Sequence, residues 1–508
     1  LVPVAVDGAL NREVVGISHD SRRIGPGMLF VAIPGETMDG HDFINEAIER
    51  GAVAVLCEHN AILSKRVTKI LVSDIREALA SVATLFHQNP SSRIKVIGVT
   101  GTNGKTSVAF LVKHLLETAG VKTGLISTIR YEIGERVLPA QRTTPGALEV
   151  QEMLSQMIGA GCEACVMEVS SHALDQKRVH GVEFDVTIFT NLTRDHLDYH
   201  ETFEAYYAAK KQLFETAQRG AKPCGAVINI DDSFGRRLSS ETDATVKLDY
   251  GLDAAATVRA SGIELGTDST RMTLHAPEFS FECTLPLIGR HNVYNALAAV
   301  GAGLVLNLGA AVLKVGLNSL ESVPGRLENV CPGGEFSVFI DYAHTEDALR
   351  NVLTTVREIT PGRVLLLFGC GGSRDRGKRF QMGEVAASLS DYTLITTDNP
   401  RKEAPEAIAN QIEQGYLSVR QTDYAIELDR RRAIDAIIRM ARPEDTVLIA
   451  GKGHETYQEF EDTVVPFDDR IYARQTLESL ETQTPRWSTN PGPPLSQPRK
   501  WNRALSSS

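Results

Sequence analysis

The run Gly101-Thr-Asn-Gly-Lys-Thr106 stands directly after the apolar segment Lys95–Val99, and a helical pattern runs from Ser107 to about Thr118 before stopping at Gly120. Strand, glycine loop and helix start are the parts that hold phosphates. Glycines at 101 and 104 let the backbone N–H groups of Thr102, Asn103 and Ser107 approach phosphate oxygens, Lys105 adds a point charge, and the Thr106 hydroxyl can ligate Mg²⁺. The strict spacing requires glycine at position 99, which is valine; glycines stand at 98 and 101, so this is a variant loop. The alternative is a glycine-rich turn without nucleotide.

A second group of residues could hold a metal. Glu168 lies near the end of the strand-like run Ala164–Val169, where an acid is costly without a partner, and Ser170-Ser-His172 follows. The strand-like Asp185–Thr190 leads into Asn191-Leu-Thr-Arg-Asp-His-Leu-Asp-Tyr-His200. Hard oxygens suit Mg²⁺ and imidazole can join them; the plainer reading is a helix start capped by Thr193 or Asp195. Phe203, Tyr207, Lys210, Phe214 and Ala217 then recur at helical spacing as one apolar stripe. Lys210 sits inside that stripe, so it either snorkels to solvent or is pushed toward the neutral amine. A shielded neutral amine can react with CO₂ to give a carbamate, which turns a cation into a metal-binding carboxylate.

The elements that must position these groups alternate short β-branched runs with helical patterns, which predicts an α/β fold with mainly parallel sheets. Towards the C-terminus four strand-like runs each end in a polar cluster: Asp341-Tyr-Ala-His344, Gly369–Arg374, Asp398-Asn-Pro-Arg401 and Gly451-Lys-Gly-His-Glu455. In an open parallel sheet such ends share one crevice. Breaks near 88–92 and 323–325 give units 1–88, 89–325 and 326–483, and the Pro/Ser-rich stretch 484–508 reads as a disordered or loosely docked tail. With 53 Lys+Arg against 64 Asp+Glu the net charge is −11, which disfavours nucleic acid and anionic membrane as partners. Seven scattered cysteines, including Cys162-x-x-Cys165, speak for thiols in a reducing cytosol. The N-terminal residues do not read as a signal peptide. The apolar stretch 296–317 reads as two short buried helices joined at Gly309, not as a membrane span.

Gly101–Thr106, Met167–His172, Asn191–Asp198, Ala208–Lys210 with Phe214, Gly289–Asn295, Val323–Glu328 and Asp341–His344 together resemble the Mur ligases, the ATP-dependent amino-acid-adding enzymes of peptidoglycan synthesis, over about residues 16–480. Asp20-Ser-Arg, Pro26–Ala32 and Asp39-Gly-His are similar to the N-terminal signature of the branch that adds the third stem-peptide residue. Ser373 and Glu346 depart from the family pattern, which has Asp and Pro there.

The resemblance implies a smaller N-terminal α/β domain for UDP, a central P-loop-type mononucleotide-binding parallel sheet for ATP, and a C-terminal Rossmann-like α/β domain for the amino acid. It implies one Mg²⁺ on Thr106 and Glu168 and a second on Glu168, His196 and carbamylated Lys210. Lys105, Arg326 and Asp341 reach the phosphates and ribose, Asn292 and Asn295 the adenine, and His344 assists near the phosphates. Ser21, Glu36 and Thr37 contact UDP, while Thr143, Thr144, Ser170, Gln176 and Arg178 hold the muramoyl-dipeptide.

Asp398, Asn399, Pro400 and Arg401 resemble the signature of members that add meso-2,6-diaminopimelate. Arg401 can clamp its second carboxylate as a bidentate pair, with Arg374, Gly451 and Glu455 serving the rest of the amino acid. The expected activity is ATP-dependent addition of meso-diaminopimelate to UDP-N-acetylmuramoyl-L-alanyl-D-glutamate through an acyl phosphate, by a cytoplasmic monomer. Addition of lysine, or silent nucleotide-sugar binding, stay open at this point.

Overall fold

The computed structural model describes residues 3–35, 38–59 and 67–483. Glu36 and Thr37, expected to contact UDP, and the 484–508 stretch lie outside the described residues. The chain gathers into two units: Leu1–Arg259, His275–Phe279 and Tyr294–Gly316, and Ala260–Leu274, Ser280–Val293 and Leu317–Ser508.

In the first unit the strand Lys95–Thr100 is flanked by two parallel neighbours, Ala164–Glu168 on one side and Val186–Phe189 on the other. Gly225–Asn229 and Val246–Gly251 extend the sheet beyond Val186–Phe189, and Thr123–Ile126 extends it beyond Ala164–Glu168. All three central strands are buried, apart from Lys95, because a parallel sheet is covered on both faces. Register puts Glu168 opposite Val99 and Phe189 opposite Thr100, so their carboxyl ends lie level. The chain leaves Lys95–Thr100 toward Thr123–Ile126 and leaves Ala164–Glu168 toward Val186–Phe189 on the opposite side, so the loops after these strands meet in one crevice. A smaller sheet orders Ala5–Asp7, Thr68–Leu71, Ala54–Cys57, Met28–Val31 and Gly16–Ser18, the first strand antiparallel.

The helix Phe203–Arg219 starts where the Thr202 hydroxyl accepts from the Ala205 N–H. Its inward face is broader than the expected stripe and adds Tyr206 and Leu213. Phe203 departs from expectation: as the first helical residue it sits at the rim, 39% exposed, with Phe234 as its ring neighbour. The expected cap at Thr193 or Asp195 is also corrected. The short helix Leu197–His200 begins at His196, which has φ 52° and gives no side-chain cap. The 296–317 stretch lies within two helices, Arg290–Val305 and Ala310–Ser319; the second is only half buried, with Val315 facing solvent. Among the described residues no helix is long and apolar enough to cross a membrane. None of the seven cysteines forms a disulfide, and Cys162 and Cys165 are buried.

The second unit carries a six-stranded sheet in the order Glu328–Asn329, Ser337–Asp341, Thr446–Ala450, Val364–Phe368, Tyr392–Ile395 and Tyr424–Ile426, parallel except for the first. Helices cover both faces, and the apolar cores are built on Leu366, Phe368 and Leu448 on one side and on Leu365, Leu367 and Ile434 on the other. A hairpin of Tyr457–Phe460 and Thr463–Pro466 follows the fifth parallel-strand loop.

Candidate active site

The glycine loop turns at Gly101, with φ 149°, where a Cβ would stand 1.8 Å from the Thr190 hydroxyl; only glycine fits there. Gly104, with φ 87°, then delivers the chain into the helix Lys105–Thr118. The Lys105 ammonium folds back on the loop and donates to the carbonyls of Gly101 (3.0 Å) and Thr102 (2.8 Å). Asn191 accepts from the Asn103 N–H and Thr190 donates to the Asn103 carbonyl, which ties the loop to the neighbouring strand end. Asn295 lies with its amide oxygen against Gly104. Asn292, one helical turn earlier, donates to the Ile288 carbonyl.

Lys210 is 1% exposed and does not snorkel. Its Nζ donates to the Gly101 carbonyl at 2.7 Å and lies 4.3 Å from the Tyr206 ring centre. Two lysine side chains therefore end on one carbonyl oxygen. Burial, and then the Lys105 charge, push the Lys210 amine well below the ordinary lysine range, against a pull from Asp195.

Glu168 is fully buried and accepts from the Thr106 hydroxyl (3.0 Å), the Thr128 hydroxyl (3.1 Å) and the Thr128 N–H (2.8 Å). The Thr106 hydroxyl and the Glu168 carboxylate are the hard oxygens that Mg²⁺ takes. His196 makes no hydrogen bond to Glu168 among the described residues; it packs edge-on to His172 with ring centres 4.8 Å apart and faces Tyr206, the ring that Lys210 also meets.

Thr144 is buried; its hydroxyl donates to the Glu168 carbonyl and accepts from the Ser170 N–H. Thr143 accepts from the Thr128 hydroxyl. Arg178 donates to the Thr144 carbonyl (3.0 Å) and to the Gln176 side chain (2.7 Å). Gln176 and Arg178 line a cavity of about 990 Å³ with His19, Arg23, Arg76 and Arg142. Burial lowers the Arg178 guanidinium, and the like charges of Arg142 and Arg76 add to this. Sequence reading missed these three arginines, which come from distant segments. Ser21 is not among the residues lining this cavity: its hydroxyl donates to Glu46. Asp39, His41 and His59 also cluster, but the His41 ring is already engaged, Nδ1 by Asp39 and Nε2 by the Glu58 N–H.

In the second unit the strand ends bring Asp398, Asn399, Lys452 and Glu455 together. Asn399 donates to Glu455 (2.8 Å), and the fully buried Lys452 ammonium donates to both Asn399 (3.0 Å) and Glu455 (3.0 Å). Burial raises the Glu455 carboxyl against the pull of Lys452. Gly451, with φ 108°, leaves room for the Asp398 carboxylate, 2.8 Å from where a Cβ would lie. Arg401 pairs with Glu459 at 2.7 Å and donates to the Gly372 carbonyl. Arg374 is exposed and has no ion pair or side-chain hydrogen bond among the described residues. Nearby Arg379, 0% exposed, joins Glu403 to the Gly371 carbonyl. His344 is exposed, and its ring Nδ1 meets the Tyr342 carbonyl. Asp341 accepts from the N–H groups of Leu327 and Ala343, and Arg326 lies over the Tyr342 ring. Lys452 was hidden inside a motif read for its glycine and acid; Arg379 carries no local signal at all.

A glycine loop opening a helix beside a buried carboxylate, with a Rossmann-like unit whose strand ends collect paired charges, has the parts of a nucleotide-dependent α/β enzyme. Models of the Mur ligase family catalytic domain, the Mur ligase middle domain and the Mur ligase glutamate ligase domain match residues 13–87, 99–303 and 325–453. The chain belongs to the Mur ligase family. It is 46% identical over 467 residues to a Solibacter usitatus protein named UDP-N-acetylmuramoyl-L-alanyl-D-glutamate–2,6-diaminopimelate ligase, covering 92% of this chain and 94% of that one. A Syntrophomonas wolfei protein of the same name is 44% identical, with 93% and 96% covered. A solved structure of a ligase of that name superposes with a TM-score of 0.68 at 31% identity, covering 92% and 95%. The Thermotoga maritima MurF ligase in complex with ADP shares the fold, with a TM-score of 0.62 at 19% identity over 93% and 99%.

Proposed function

We propose that this chain joins meso-2,6-diaminopimelate to UDP-N-acetylmuramoyl-L-alanyl-D-glutamate at the expense of ATP. The observation that carries the reading is the convergence of Asp398, Asn399, Arg401 and Glu455 at parallel strand ends, in a chain nearly half identical to relatives named for this reaction. Diaminopimelate has a carboxylate and an ammonium on its distal carbon. Arg401 takes the carboxylate, and Asp398 and Glu455 take the ammonium; lysine leaves the Arg401 guanidinium without its ligand, the kind of mismatch that polar sites reject strongly.

A γ-carboxylate oxygen of the D-Glu attacks the γ-phosphorus of ATP, ADP leaves, and an acyl phosphate forms. The diaminopimelate amine then attacks the acyl carbon, orthophosphate departs with the C–O electron pair, and the amine loses its proton as the amide forms. Lys105 and the loop N–H groups hold the phosphates, while Arg178, Gln176, Thr143, Thr144 and Ser170 orient the muramoyl-dipeptide. Thr106 and Glu168 would hold Mg²⁺, which would supply charge neutralisation at the phosphates. A carbamate on Lys210 fits the buried amine, whose proton is already disfavoured, and would complete a second ion site with Glu168 and His196. We assign residues 1–88 to the UDP end, 89–325 to ATP and 326–483 to the amino acid.

The test supplies the purified chain with ATP, Mg²⁺, the muramoyl-dipeptide and either diaminopimelate or lysine. Mass spectrometry is expected to find the diaminopimelate amide in step with released phosphate and little lysine product. A lysine amide as the main product overturns the specificity, and phosphate release without either amide overturns the ligase reading.

A further inference from the structure

We infer that Glu459, in the hairpin strand Tyr457–Phe460, is a positioning residue that presets the Arg401 guanidinium for the distal carboxylate of the amino acid. The inference rests on the reading of Arg401 as the carboxylate clamp.

Arg401 has φ 52°, a conformation costly for a residue with a Cβ and kept only where its surroundings hold it. The hairpin does so from both sides. The Arg401 N–H donates to the Glu459 carbonyl (3.0 Å), and the Glu461 N–H donates to the Arg401 carbonyl (2.8 Å), so Arg401 forms a one-residue parallel bridge with Phe460. The Gln458 side chain donates to the Asp398 carbonyl (2.9 Å), and the Glu459 N–H donates to the Asn399 amide oxygen (3.1 Å). One strand thus grips three of the four residues Asp398–Arg401.

The side chains continue the pattern. Glu459 Oε2 lies 2.7 Å from Arg401 Nε, and Arg401 Nη1 donates to the Gly372 carbonyl at 3.0 Å. A guanidinium has five N–H donors. With Nε held against the Glu459 carboxylate as an ion pair and one Nη1 hydrogen given to Gly372, the donors left over belong to the Nη end, where a ligand carboxylate can meet them. Arg401 is therefore anchored before the substrate arrives, and binding does not have to immobilise a long side chain. Anchoring also serves selection. A guanidinium that cannot swing away stays unsatisfied when lysine is bound, whereas a mobile one escapes to water.

The experiment uses the full chain with Glu459→Ala and Glu459→Gln, varying each substrate in turn and comparing diaminopimelate with lysine. Glu459→Ala is expected to raise KM for diaminopimelate by roughly tenfold, the scale of one re-mobilised side chain, with kcat and KM for ATP within about twofold. The preference for diaminopimelate over lysine in kcat/KM falls by a similar factor. Glu459→Gln, which keeps a side-chain oxygen beside Nε at the same reach, returns to within about threefold of the parent. An unchanged or lower KM for diaminopimelate in the alanine variant overturns the inference. So does a parallel rise in every KM, or a glutamine variant as impaired as alanine. If the parent chain itself shows no diaminopimelate-dependent phosphate release, the amino-acid assignment has failed instead.

Discussion

The two units treat buried cations in opposite ways. In the first, Lys210 is buried against a carbonyl and an aromatic ring, with Lys105 on the same carbonyl and Asp195 acting only as a more distant attraction. In the second, the buried cations Lys452, Arg379 and Arg430 each meet a carboxylate: Glu455, Glu403 and Asp469. Such a pair stays charged and fixes geometry, as Arg430 does by donating to the carbonyls of Thr397 and Ala450, just before Asp398 and Gly451. A buried amine without a carboxylate contact is instead driven toward its neutral, nucleophilic form. On the proposed function, chemistry is built on the first arrangement and recognition on the second.

The contrast makes four predictions, in falling order of effect. Lys210→Ala is expected to lower turnover by roughly 10³-fold, the scale of losing a group that organises transition-state charge, while circular dichroism stays native and bicarbonate does not restore activity. Full activity in that variant removes Lys210 from the chemistry. Arg430→Met leaves Asp469 buried and unpaired and should cost about 3 kcal/mol in urea unfolding, most of which Arg430→Met with Asp469→Leu recovers. If the single variant unfolds like the parent, the pair is no scaffold. Arg401→Ala is expected to raise KM for diaminopimelate by about 30-fold, or about 2 kcal/mol, and to leave KM for ATP alone. Equal losses for both substrates would deny it a specific role.

The smallest effect concerns acid. Glu403 is held down to about 2 from 4.5, first by Arg379 and then by the Ser373 N–H. Because the folded value is the lower one, its contribution is complete above pH 4.5 and is lost as the pH falls toward 2. Glu403→Gln should therefore flatten that part of the acid-unfolding curve by about 1 kcal/mol after solvent screening. An identical acid limb in the variant would show that the pair does not couple to folding.

Features carried within a few residues were legible in the sequence: the strand, glycine loop and helix start around Gly101–Thr106, the inward face that buries Lys210, and the polar clusters after the C-terminal strands. Each is a local pattern whose period or turn chemistry is fixed by backbone geometry. Phe203 was misread because periodicity gives the face a residue occupies and not whether anything covers that end of the helix. The partner of the Ser21 hydroxyl was not legible either, since a motif gives a neighbourhood while Glu46 stands 25 residues away.

Partnerships across long stretches of chain were decided by the tertiary structure alone. Lys210 reaches Gly101 across 109 residues, Arg430 reaches Asp469 across 39, and Arg401 finds Glu459 in a hairpin the sequence reading did not single out. Which charge meets which depends on the crossovers that bring strand ends level. The burial that turns an ordinary lysine or glutamate into a shifted one exists only once those layers have packed.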